Sequence, residues 1–204
     1  MARLTAVITV VDYDPAWPRR FEALREEYAR ALGAAGVPVV AIEHVGSTSV
    51  PGLAAKPIID CDIVVKERDV DAAARVLVGL GFQPLGELGI AQRWAFREPE
   101  RLARTNTYVV VDGSLALRNH RAVRDTLRCD PELREQYAAV KRRVAAEAAD
   151  SYAYGRGKNA MVQRILAAAG LSEAERAEID ASRVVPLDKA ELIAWPGAAR
   201  PAGA

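Results

Sequence analysis

The chain has 204 residues, half of them hydrophobic, with 28 basic against 27 acidic side chains and a formal net charge of +1. That balance excludes the broad electrostatic field that recruits nucleic acid or acidic membrane and points to a small ligand, while the length suits one compact unit, in one or two lobes. Two cysteines without paired spacing, Cys61 and Cys129, indicate neither a disulfide framework nor a zinc site, so both read as reduced thiols.

In chain order, residues 5–11 (TAVITVV) read as a strand, DPAW as a turn, and residues 18–32 as an amphipathic helix with Phe21, Leu24, Tyr28 and Leu32 on one stripe. The amino terminus holds one early arginine and a brief apolar stretch containing threonines, too short for a secretory or membrane segment, so a cytoplasmic protein is expected. Residues 37–45 and 58–65 read as strands, the second covered on both faces because its Ile and Val content is nearly continuous. A helix over 69–80 ends at Gly81, and strand-like segments follow at 82–85, 91–97 and 106–111. Helices are expected over 115–128, 131–149 and 154–169, the second opened by Asp130 as cap with Pro131 in the first position. From 171 the chain turns polar and then rich in Pro, Gly and Ala, which reads as a loosely held tail over 171–204. The expected architecture is α/β (α+β): a mixed sheet flanked by helices in about 1–112, then a helical part in about 113–170.

The run IIDCDIVV contains Asp60 and Asp62, which alternation places on one strand face with their bases roughly 7 Å apart. Two ionised carboxylates on a buried strand repel each other and lose hydration unless a cation compensates, and hard oxygen donors suit Mg²⁺ or Mn²⁺. Upstream, Gly46-Ser47-Thr48-Ser49 forms a turn whose backbone N–H groups and hydroxyls suit a phosphate, and Lys56 adds a compact cation nearby. A D-x-D pair on a solvent-facing edge, or a simple Gly-Ser turn, would mean nothing; the apolar flanks and the combination argue for a metal-assisted phosphate site. Glu43 and His44 precede the turn, with His44 either facing the site or serving as a hydrogen-bonded structural residue. Tyr13, Trp17, Trp94 and Tyr154 read as packing aromatics.

On these residues the chain resembles the GrpB family, a group assigned to the nucleotidyltransferase superfold, over about residues 10–169. The family-like stretches are 13–22, 42–60, 123–143 and 154–162. The resemblance implies a Gly-Ser turn that grips nucleotide phosphate, Gly46 and Ser47, and a metal-binding catalytic pair, Asp60 and Asp62. Among the basic residues of the helical part, Arg118, His120, Arg124, Arg128, Lys141 and Lys158, it singles out Arg124 and Lys158 as nucleotide-binding because they lie in family-like stretches. The expected activity is Mg²⁺-dependent transfer of a nucleotidyl group from a nucleoside triphosphate, ATP first, to a small-molecule acceptor, including adenylation ahead of ligation. The alternative is a non-catalytic nucleotide-binding module. Two departures favour that alternative: Tyr108 stands where the family has a strand histidine, and no third carboxylate is convincing among Glu87, Glu98 and Asp112. In the 123–128 segment both aromatics of the family pattern are replaced, while Arg124, Asp125 and Arg128 remain.

Overall fold

The computed structural model describes residues 8–182. It opens with helix α1 (Trp17–Ala34), started by Pro18, whose fixed φ suits a first turn. Trp17, Phe21, Leu24, Tyr28 and Leu32 recur at helical spacing and are all buried against one face of a five-stranded sheet. The strands are β1 (Ala41–Val45), β2 (Ile59–Val65), β3 (Gln83–Gly86), β4 (Arg93–Arg97) and β5 (Thr105–Val111), in spatial order β1-β2-β5-β4-β3. Only β2 and β5 run parallel, and the crossover between them carries α2 (Val70–Gly79) on the α1 side of the sheet.

Period-two alternation along β2 divides its side chains. Ile59, Cys61, Ile63 and Val65 enter the core shared with α1 and α2, whereas Val64 packs on the opposite face with Val110, Ala116 and Leu117. Asp60 and Asp62 therefore share the second face. Register extends that face sideways: Asp60 lies opposite Val45 and Asn106, Asp62 opposite Glu43 and Tyr108, and Arg93 opposite Val110.

Helix α3 (Leu115–Cys129) covers that face, its start capped by Ser114, whose Oγ accepts from the Leu117 N–H at 3.2 Å. Next comes α4 (Pro131–Glu147), and Asp130 caps it as the sequence indicates, accepting from Leu133 N–H at 2.9 Å. After α5 (Ser151–Gly157) and α6 (Asn159–Ala168), α7 (Glu173–Ser182) completes the helical layer, whose own core joins Leu127, Leu133, Ile165 and Leu166 to Val50 and Leu53 of the β1–β2 connection. Among the described residues no helix is long and apolar enough to cross a membrane.

Three expectations are corrected. The strand over 5–11 reduces, in its described part, to one bridge in which Val11 and Ala55 exchange both backbone bonds at 2.9 Å; residues 5–7 lie outside the described residues. Ala55 sits between Gly52 and Pro57, and a proline without an N–H cannot extend the ladder. The single helix over 154–169 is two, broken at Lys158. Gly155 and Gly157 each weaken a helix by about 1 kcal/mol relative to alanine, and the backbone of Gly157 lies so close to α4 that a Cβ there would come 2.5 Å from Val144 Cγ1. The tail expected from 171 begins instead with α7, where Ser172 and Glu175 form a reciprocal cap and Ile179 is buried. Residues 183–204, the rest of that expected tail, lie outside the described residues.

Candidate functional site

Gly46 leaves β1 with φ +68° and ψ −171°, a conformation essentially reserved for glycine, and leads into the 3₁₀ turn Ser47–Ser49. The turn is tied internally. Ser49 Oγ donates to the Gly46 carbonyl at 2.6 Å, the Ser49 carbonyl accepts from Arg128 Nη2 at 2.7 Å, and Thr48 Oγ1 donates to the Ile58 carbonyl at 3.0 Å. Because the one hydroxyl proton of Thr48 goes to Ile58, the 3.0 Å contact with His44 Nε2 requires the imidazole to donate. The hydroxyls of Thr48 and Ser49, expected on phosphate, are thus spent on the turn. Ser47 is different: its hydroxyl takes no hydrogen bond among the described residues, and it lines two adjoining cavities.

His44 is structural. Its ring stacks on Phe21 at 4.7 Å between centroids, and burial, followed by the charges of Arg128 and Arg124, lowers its pKa to about 4. The unfolded chain, with an ordinary histidine near 6.5, binds the proton more readily, so His44 favours folding above that value and the contribution is lost as pH falls from about 6.5 toward about 4. Denaturant unfolding at several pH values is expected to show this loss, up to about 1.4 kcal/mol per pH unit, and His44→Gln, which keeps a donor for Thr48, is expected to flatten it. An unchanged slope in the variant would rule out the assignment.

The two strand carboxylates have different surroundings. Asp60 Oδ1 accepts from Asn106 Nδ2 at 2.7 Å, and burial, opposed by that bond, raises its pKa. Asp62 is fully buried: Oδ2 accepts from His120 Nδ1 at 2.7 Å, while Oδ1 has no hydrogen-bond partner. A buried carboxylate oxygen without a donor is costly and fits a cation as its missing partner. Among the described residues no three His, Cys, Asp or Glu side chains form a metal cage. Two carboxylates on one face instead suit Mg²⁺, which is commonly held by one or two carboxylates together with water and substrate phosphate. The donor set fits.

The smaller cavity, about 240 Å³, is lined by Ser47, Asp60, Lys56, Lys141 and Lys158. Lys158 and Lys56 place their ammonium groups 4.4 and 5.4 Å from the Tyr154 ring centroid. Lys141 is 2% exposed, donates to the Ala54 carbonyl at 2.6 Å, and has its pKa pushed down by burial and then by Lys158. Three lysines around so small a space repel one another, and an anion between them removes that cost. The larger cavity, about 720 Å³, shares Ser47, Asp60 and Lys158 with the first and extends past Tyr108 and His120 to Arg93 and α7.

Gly46, Ser47, Lys56, Lys158 and Asp60 therefore converge, while Asp62, on the same strand face as Asp60, is fully buried and lines neither cavity. Arg124 does not join them: it donates to Glu43 Oε2 at 2.7 Å and to the His44 carbonyl at 3.3 Å, fastening α3 to β1. Burial pushes the Glu43 carboxyl up, but hydrogen bonds from Arg121 and Arg124 outweigh it and hold it below the ordinary range. Of the carboxylates considered for a third ligand, Asp112 pairs with Lys66 at 2.7 Å and Glu87 accepts from the Gln92 N–H at 2.6 Å. Asn106 and His120 were not selected from sequence as the groups that hold the two aspartates. Asn106 had a signal, since it lies one alternation step before Tyr108 on the same strand face. Lys141 had another, standing with Tyr137 and Val144 on an apolar helical stripe.

Residues 7–168 match the family model described as GrpB protein. A UPF0157 protein of Pseudomonas aeruginosa is 40% identical over 164 residues, covering 78% of this chain and 66% of that protein. The UPF0157 protein YqkA of Bacillus subtilis is 32% identical over 160 residues, 76% of this chain and 45% of that protein, so the chain spans under half of the latter's length. Among solved structures, that of the conserved protein GrpB from Enterococcus faecalis superposes with a TM-score of 0.69 at 31% identity, covering 79% of this chain and 96% of the other.

Proposed function

The chain belongs to the GrpB family, and from that premise and the site geometry we propose that it is a Mg²⁺-dependent nucleotidyltransferase that passes the nucleotidyl group of a nucleoside triphosphate, ATP first, to a small-molecule acceptor. The observation that carries this reading is the junction at Ser47, Asp60 and Lys158, where a lysine-lined space adjoins a larger cavity. In the proposed arrangement the triphosphate tail occupies the lysine-lined space, with the Ser47 hydroxyl and Lys158 on its oxygens, and the α-phosphorus lies beside Asp60. The acceptor forms a bond to that phosphorus as the bond to the β-phosphate oxygen breaks and pyrophosphate departs with the electron pair. A hydroxyl acceptor also gives up its proton, which the departing pyrophosphate takes up, while a carboxylate acceptor has none to lose. Asp60 and Asp62 would hold Mg²⁺, which when bound neutralises charge on the phosphates. The lysines orient the leaving group and offset its growing charge.

One observation favours the alternative of a nucleotide-binding module without turnover: β5 faces the two aspartates with Asn106 and Tyr108, neither of them a carboxylate. Incubating the purified protein with each nucleoside triphosphate and Mg²⁺, with and without a pool of small metabolites, and following pyrophosphate separates the two. Release that depends on the pool is expected; tight binding without release selects the module. Lys141→Met is expected to weaken ATP affinity about tenfold in calorimetry, the scale of one charge-assisted contact, while the retained stem keeps the fold. Unchanged affinity would remove Lys141 from the phosphate site.

A further inference from the structure

The far end of the larger cavity holds polar groups that the nucleotidyl-transfer reading leaves without work. Arg93 reaches this end from β4; its guanidinium lies 4.6 Å from the Tyr108 ring centroid, and its buried Nε has no hydrogen-bond partner. Among the described residues it makes no ion pair. A half-buried guanidinium without an anion is a costly thing to keep folded, and its planar fork matches a carboxylate in two-point contact. The Tyr108 ring holds that guanidinium by a cation–π contact. Across the cavity Asn119, on α3, is 8% exposed and its Oδ1 also lacks a partner. Leu115, Val162 and Ile179 supply apolar wall nearby, and Glu178, an exposed carboxylate of α7, also lines the space.

Resting on the nucleotidyl-transfer reading, we propose that this end is the acceptor subsite and takes a small monocarboxylate, its carboxylate on Arg93 and a hydroxyl or amine hydrogen donated to Asn119 Oδ1. The composition selects against a second polyphosphate: apart from the shared Asp60 and Lys158, this cavity is lined by one guanidinium and one carboxylate, Glu178, whereas Lys56 and Lys141 line only the other. The apolar wall asks for a short hydrocarbon body. Together these features describe a ligand with one negative end, one polar hydrogen and a compact apolar middle.

The test uses the full chain with Mg²⁺ and a non-hydrolysable ATP analogue, probed with acetate, lactate, 3-hydroxybutyrate and benzoate, each against its amide, by saturation-transfer NMR. At least one carboxylate is expected to bind where its amide does not. Arg93→Gln is expected to weaken that binding tenfold or more while leaving the affinity for the ATP analogue within twofold. Asn119→Asp, nearly isosteric, is expected to repel the same probe and serves as a second variant should Arg93→Gln fold poorly. Absence of binding by every carboxylate, or equal binding to wild type and both variants, overturns the subsite, as does a parallel loss of analogue affinity in Arg93→Gln, which would put Arg93 on the nucleotide. Carboxylate binding to a wild-type protein that does not bind the analogue would instead refute nucleotidyl transfer and leave the anion site standing.

Discussion

Gly46→Ala is expected to lower stability by about 3 kcal/mol and to abolish nucleotide binding. A Cβ at this position would lie 2.1 Å from Asp60 Oδ2 and 2.8 Å from its Cγ, on a backbone with φ +68°. Conformational strain of about 1–3 kcal/mol for a side chain in this region adds to the collision. Relief requires Asp60 to swing away, which breaks its bond from Asn106 and removes a carboxylate from the junction of the two cavities. For a chain of this size the loss corresponds to roughly 6–12 °C in Tm. Gly52→Ala is the control: its φ is +80°, but the nearest atom to an added Cβ is Arg134 Nε at 3.8 Å, so it carries strain without collision. Equal shifts in the two variants would mean that the close approach of Gly46 to Asp60 has no energetic weight.

Asp60→Asn is expected to eliminate Mg²⁺-dependent nucleotide binding and, without metal, to raise Tm at neutral pH by roughly 2–4 °C, the equivalent of about 1 kcal/mol. The sign follows from the raised pKa of Asp60. Burial makes the folded protein hold this proton more tightly than the unfolded chain does, so stability is lost as pH rises from the ordinary carboxylate range through the raised value, and the ionised group is a burden at neutral pH. The asparagine carries no such burden and still accepts from Asn106. Asp62→Asn is expected to eliminate the same binding with little change in metal-free Tm: it removes the repulsion with Asp60 but also weakens the hydrogen bond from His120. Calorimetry with and without Mg²⁺, paired with thermal unfolding in chelator, reads both quantities. Variants that bind Mg²⁺ and nucleotide as well as the parent would end the metal assignment.

Much of this frame was legible beforehand. The strand pattern around Asp60 and Asp62, the helical stripe of α1 and the Asp130-Pro131 cap are local signals, and each reappears in the structure. What sequence did not reveal depends on register and on which element covers which face. Thr48 and Ser49 look identical to phosphate donors until Ile58 and Gly46 are found beside them. Arg124 lies on a family-like stretch yet turns toward Glu43, a partner 81 residues away in sequence. The pairing of His120 with Asp62, 58 residues apart, likewise needs α3 laid across the sheet. The capping box of Ser172 and Glu175 was available to a reader of sequence, but the polar composition around it outweighed the signal.

The interruption between α5 and α6 leaves one ammonium group, that of Lys158, bordering both compartments. A charge that serves two neighbours cannot be neutralised twice. The triphosphate, with the lysines around its tail, claims it, and the acceptor then meets a pocket of altered polarity, so the kinetics should show compulsory order of addition with the nucleotide leading. A dead-end acceptor analogue that inhibits noncompetitively, rather than uncompetitively, against the nucleotide would point instead to two compartments filled independently.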